Sequence, residues 1–297
     1  GGIDYWIFNM FVLRDPQGNP IPDGTKPEWK AEDMNLSRKL YLTSRQKSKV
    51  KFALMFGMPG YGSTTTGQHN WDFAVREAVT QMREPSYQTV LNGRPLVYFF
   101  LWGEDPVKIL GSWEKLRTML DAFRQQVRQA GKENPYIVAV VSTPEEGKRA
   151  VTKLGMEAVT MYATIPSEGS QNTTSYTRSG YDALARATPD TWNSFRQLGL
   201  KTVPLVTTGW DPRPHRDDVW GYGGYKAGPV VERATPAQIA AHLKEAIQWM
   251  KTNSSVAEPQ TAIIYGWNEL SEGGWIIPTL EEGDARLRAI GEVRRGK

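Results

Sequence analysis

TAIIYGWNELSEGG, residues 261–274, changes character halfway along. Its first half is short, rich in β-branched and aromatic residues and almost continuously apolar. Its second half carries two carboxylates three positions apart, Glu269 and Glu272, among tryptophan, asparagine and glycine. Such an apolar run suits a parallel strand covered on both faces better than the alternating pattern of a half-exposed one. The same reading applies to IDYWIFN (3–9), KVKFALMF (49–56), PLVYFFLW (95–102), YIVAVVS (136–142), AVTMYA (158–163) and KTVPLVTTGW (201–210). Helical patterns lie between several of these runs. Ser112 can cap a segment with Leu116, Leu120, Phe123 and Val127 on one face and Gly131 as its stop. Thr235-Pro236-Ala237-Gln238 is a capping box with proline in the first turn, followed by Ile239, Leu243, Ile247 and Met250. Strand-then-helix order, repeated, predicts an α/β fold.

The connections are polarised. Helix-to-strand links such as Gly131–Pro135 and Leu198-Gly199-Leu200 are short, whereas strand-to-helix links include 57–70, 164–180 and the stretch from Gly209 to Ala234. Long loops at the carboxyl ends of parallel strands are where a (β/α)₈ barrel keeps its active site, and a doubly wound sheet also binds ligands at that edge. No glycine fingerprint for a dinucleotide follows any strand, and GMPGYGS lacks the Gly-Lys-Ser/Thr ending of a phosphate loop. The expectation is therefore a (β/α)₈ TIM-type barrel over 1–297 as one domain. Seven strands are marked instead of eight, so the first strand is lacking or displaced, or one strand is weakly marked.

Composition narrows the function classes. The chain has 297 residues, 36 basic against 32 acidic, with no long run of like charges, which argues against nucleic acid as a partner. No apolar stretch approaches a membrane span, and no signal peptide stands at the start of the residues present. With zero cysteines there is no disulfide, thiolate metal site or cysteine nucleophile. Three sequons begin at Asn35, Asn172 and Asn253. His69, His215 and His242 lie in separate segments without ligand spacing, so neither a metal nor another cofactor is expected, and His242 reads as an ordinary helix residue.

As a bare pattern Glu-x-x-Glu is weak, because on a helix it is usually a solvated face. Here Glu269 closes a buried strand, and Gly273-Gly274 directly after Glu272 argue against a continuing helix. Two carboxyl groups at one strand end, with tryptophans nearby, are the equipment of glycoside hydrolysis: one protonates the leaving oxygen while the other assists at the sugar.

These residues also carry a resemblance. GWNELSEGGWIIPT (266–279) is similar to the Trp-Asn-Glu-x-x-Glu-Gly signature of glycoside hydrolase family 99-like proteins, a (β/α)₈ group of endo-α-mannosidases and endo-α-mannanases with relatives in polysaccharide biosynthesis. GIDYWIFNMF, KFALMF, LNGRPLVYFFLW and VPLVTTGWDPRPHR resemble further family segments, so the match is piecewise but spans most of the chain. The resemblance implies that Glu269 acts as a base on the sugar's own 2-hydroxyl, giving a 1,2-anhydro intermediate, and that Glu272 acts as general acid and then base. It also implies an oligo- or polysaccharide substrate. The location is left open by the sequence, with export to the periplasm, cell surface or medium as the expectation. The chain departs from the family pattern at Leu270, where an aromatic is frequent, and at Ile277, where a Glu precedes the proline. Both departures leave the catalytic pair in place and the specific sugar open.

Other residues have a functional and a plain reading. Trp210 can be a stacking platform with Asp211 or Arg213 gripping hydroxyls, or the segment is a rigid proline turn over the barrel mouth. Trp220, Tyr222 and Tyr225 can line a sugar cleft or form a small satellite core under a long loop. Trp102 and Glu104, with Asp105, end another strand and can orient substrate, though a helix N-terminus would also favour acids there. Asn268 either buttresses Glu269, contacts substrate, or is a buried hydrogen-bonded amide. Tyr162 and Trp275 complete the substrate-binding candidates. Three functions compete: a retaining glycosidase on manno- or rhamno-configured glycans, a glycosyltransferase of polysaccharide assembly, and a catalytically silent carbohydrate-binding domain. A nucleotide-sugar transferase often uses Asp-x-Asp, which does not occur; Asp217-Asp218 are merely adjacent.

Overall fold

A computed structural model describes residues 2–10, 29–57, 67–101, 111–164, 175–216 and 227–296. The chain divides into two compact units, Asp4–Val159 and Thr160–Lys297 with Gly1–Ile3.

In the first unit β1 (Tyr5–Asn9), β2 (Lys51–Gly57), β4 (Arg94–Phe100) and β5 (Tyr136–Val141) form a parallel sheet in that order. The short β3 (Thr89–Val90) pairs antiparallel with β4, and β6 (Ala158–Met161), within which the division falls, follows β5. All six side chains of β5 are buried, as an apolar run covered on both faces requires. Helices α1 (Trp29–Thr43), α2 (Gly67–Gln81), α3 (Trp113–Gln129) and α4 (Pro144–Leu154) alternate with the strands. Ser112 caps α3 by accepting from Lys115 N at 3.2 Å, and Leu116, Leu120, Phe123 and Val127 face inward. Thr143 and Glu146 form a full capping box on α4, which Gly155 ends in the left-handed conformation.

The second unit contains α5 (Tyr181–Gln197), α6 (Pro236–Thr252), α7 (Ala285–Arg294) and short ladders. Thr235 and Gln238 make the expected box on α6. β8 (Leu205–Val206) and β10 (Ile263–Ile264) run parallel, with Leu205 opposite Ile263. Their partnership outlasts the ladder: Tyr265 N donates to Val206 O at 2.9 Å and Thr208 Oγ1 donates to Tyr265 O at 2.7 Å.

The seven expected strand positions all hold a strand, paired in parallel with one another wherever that register is described, and the alternation with helices is as expected. β8 and β10, two residues each, are much shorter than their apolar runs, and Pro204 just before β8 has no N–H to give a ladder. The loops expected at 164–180 and 209–234 contain a further parallel pair, β7 (Tyr176–Ser179) and β9 (Gly228–Val231). The described strands fall into four sheets. No helix among the described residues is long and apolar enough to cross a membrane.

Candidate active site

The parallel register of β8 and β10 sends two loops from one edge: Thr207–Arg216 and Tyr265–Trp275. The second loop is a small hairpin. β11 (Asn268–Glu269) pairs antiparallel with β12 (Gly274–Trp275), and a single 3₁₀ turn, Leu270–Glu272, lies between them. Gly273 ends that turn at φ +73°, a region costly for side chains, and a Cβ there would lie 2.6 Å from Asp211 N. The two loops are also bonded directly, Asp211 N donating to Glu272 O at 2.6 Å. The expectation that Gly273-Gly274 stop a helix at Glu272 is thus met, with Glu269 and Glu272 bracketing the turn.

Each carboxylate meets a tyrosine. Tyr162 Oη donates to Glu269 Oε1 at 3.4 Å, and Tyr265 Oη donates to Glu272 Oε2 in a short bond. The two rings pack edge to face, 5.4 Å between centroids at 76°. Burial and the neighbouring charge of Glu272 raise the pKa of Glu269 above the ordinary carboxylate range, against smaller opposing effects of the Tyr162 hydroxyl and His215. Burial first, then Glu272, push the Tyr265 hydroxyl far up, so it remains a protonated donor at any ordinary pH. The arrangement can therefore move a proton at Glu269 and hold Glu272 fixed beside it.

The other expected residues divide. Trp210 is corrected: at 2% exposed it belongs to the core of this unit, its ring 6.5 Å from that of Tyr265 and its carbonyl accepting from Val231 N. A tryptophan before Asp-Pro is as compatible with a core anchor as with a platform, and only packing separates them. Asp211 and Arg213 grip each other, Nε to Oδ1 at 2.8 Å and Nη2 to Oδ2 at 2.6 Å, and this bond chiefly lowers the Asp211 pKa. Trp275 lies with the guanidinium carbons of Arg286 and Arg233 at 4.5 and 5.0 Å from its ring centroid, and its carbonyl accepts from Arg286 Nη1. Asn268 is exposed, so the buried-amide reading is overturned. Trp102, Glu104, Asp105, Trp220, Tyr222 and Tyr225 lie outside the described residues.

Two residues escaped the sequence reading. Tyr265 sits within the apolar run and looks like one more strand aromatic; only its place four residues before Glu269 hints at a role. His215 lacks ligand spacing in the sequence, yet it stands near enough to lower the Glu269 pKa. His242 is a helix residue as expected but fully packed: it stacks on Trp192 at 5.7 Å, and burial lowers its pKa to about 4.

Comparison with known proteins adds three findings. A solved structure similar to this chain is a chitinase from Bacteroides thetaiotaomicron, 14% identical, covering 98% of this chain and 96% of that one with a TM-score of 0.46. No curated protein sequence matches. The profile of the family described as Glycosyltransferase WbsX matches residues 63–290, which include the whole hairpin with Glu269 and Glu272, and the chain belongs to that family.

Proposed function

We propose that the protein is a retaining glycoside hydrolase for α-linked manno- or rhamno-configured glycans, with Glu269 and Glu272 as its reacting pair. The observation that carries this reading is the hairpin itself: two carboxylates one turn apart, each hydrogen-bonded to a tyrosine, with the proton affinity of Glu269 raised. Glu269 takes the proton of the sugar 2-hydroxyl while that oxygen closes on the anomeric carbon. Glu272 gives its proton to the departing glycosidic oxygen. Water then opens the anhydro sugar at the anomeric carbon, losing its proton to Glu272, and Glu269 returns its own proton to the 2-oxygen. An ordinary carboxylate is a weak base for a hydroxyl, so a raised proton affinity suits Glu269 to the first step. Parallel strands alternating with helices support a (β/α)₈ barrel with its first strand lacking or displaced, and a polymeric glycan substrate fits an exported enzyme.

The family description favours a second reading, in which the same pair transfers the sugar to an acceptor hydroxyl instead of water. Incubation with α-mannans and rhamnose-containing polysaccharides, with and without oligosaccharide acceptors, separates the two by product mass. For either reading, Glu269→Gln and Glu272→Gln should each lower turnover by ~10²–10⁴ with binding retained. Efficient cleavage of a 2-deoxy substrate would overturn the anhydro route. Near-wild-type turnover by Glu272→Gln would overturn the acid assignment.

A further inference from the structure

The geometry points to Tyr265 as the positioning residue of Glu272, braced from behind by the hairpin's own glycine and from the side by Tyr162. This rests on the reading of Glu269 and Glu272 as the reacting pair, and it assigns a role to a residue outside the Glu-x-x-Glu signature.

Tyr265 is anchored by its backbone and its ring together. Its N–H and carbonyl are both taken up by the neighbouring strand end, at Val206 O and Thr208 Oγ1, and the side chain is 4% exposed. The ring lies against the backbone of Gly274, where a Cβ would come within 2.8 Å of Cδ1 and 3.2 Å of Thr208 Oγ1. A ring so enclosed has one place for its hydroxyl, and that place is Glu272 Oε2. One oxygen of Glu272 is thereby committed. A freely rotating glutamate would spend most of its time away from the reacting bond, and fixing it recovers that lost fraction.

The two tyrosines act with unequal force. Tyr265 is buried with its hydroxyl on Glu272 Oε2, whereas Tyr162 is half-buried and reaches Glu269 at 3.4 Å. Their edge-to-face contact means that a shift of one ring is felt by the other. The groups that face Glu269 are Glu272, Tyr162, Tyr265 and His215, and the Asp211–Arg213 pair stands on the adjoining loop.

The test is Tyr265→Phe in the whole chain, with Tyr162→Phe alongside. Loss of the Tyr265 hydroxyl should lower kcat roughly 10–100-fold on a glycoside with a sugar leaving group and leave KM within about twofold, a fraction of a full proton-transfer role. An aryl glycoside with an acidic phenol leaves without a proton, so the variant should recover to within about threefold of wild type on it. Equal losses on both substrates would show a general structural defect and overturn the assignment. Infrared difference spectra across the carboxyl C=O and carboxylate-stretch regions, with Glu272→Gln to identify the band, read the bond without any turnover. An unmoved Glu272 band in Tyr265→Phe overturns the proposal outright. Wild-type inertness toward every glycoside, with the band moved, overturns instead the reading of the carboxylates as a reacting pair, and the positioning role falls with it.

Discussion

Replacing Arg286 by methionine keeps an extended, apolar-stemmed side chain in place and removes three donors at once. The guanidinium is 2% exposed. Its Nε donates to Glu282 Oε2, Nη1 to Trp275 O and Nη2 to Ala234 O, each at 2.7 Å. The Trp275 carbonyl belongs to β12, so this one side chain ties α7 to the hairpin that carries Glu269 and Glu272. Breaking a buried, hydrogen-bonded charge pair from one side costs ~3–5 kcal/mol, because the carboxylate and carbonyls left behind lose their partners. Glu282 retains Arg233 at 3.2 Å, which places the expected loss near the lower end. Urea unfolding followed by tryptophan fluorescence should show the midpoint falling at constant slope. Arg286→Lys should recover only part of the loss, since an ammonium cannot reproduce the planar fork. A loss under ~1 kcal/mol for the methionine variant would refute the idea that this residue anchors the hairpin.

Three further outcomes follow from the same unit. Trp210→Ala should cost ~3–5 kcal/mol by chemical denaturation, as for any large core aromatic, and unchanged stability with weakened glycan binding would restore the platform reading. Glu269→Gln should raise the melting temperature at neutral pH, because it removes a buried carboxylate whose charged form is disfavoured by burial and by Glu272. The sign follows from linkage: the folded pKa of Glu269 is raised, so its contribution is fully favourable below the unfolded carboxylate pKa and is lost as pH rises through the folded one. The gain should therefore vanish in acid, and a gain independent of pH would contradict it. Arg213→Ala should lower stability by under ~1 kcal/mol, because the Asp211 pair is partly exposed, and a larger loss would mean the loop depends on it.

Much of the first unit was legible because parallel strands covered on both faces are written as apolar runs, and α3 and α6 announce themselves by their caps. β7 and β9 were not legible. YTRS is polar and half-exposed and GPVV contains a proline, so neither carries a strand's usual signal, and their pairing joins residues far apart in sequence. At the site, Glu269 and Glu272 could be read from a motif whose glycines exclude a helix. Tyr162 could be named as a candidate but not its bond to Glu269, which spans 107 positions, and Tyr265 carried no signal of its bond to Glu272. Trp210 shows the limit from the other side: an aromatic residue at a loop's start has the same letters whether its ring faces solvent or the core.

The close passage of the loop Thr207–Arg216 against the hairpin has a consequence for altering this enzyme. A Cβ at Gly209 would run into the Gly273 carbonyl, and one at Gly273 would run into Asp211, so at these two glycines the loops pass with no room for a side chain. Substitution at these two glycines can therefore not tighten the seam. A saturation scan across 207–216 and 265–275 should find these glycines intolerant of every replacement, while Leu270 and Ser271, exposed at the hairpin tip, accept many. Changes of specificity, natural or engineered, would then have to be written at the tip and rim of the hairpin, on a floor whose shape is fixed by residues that have nothing to vary.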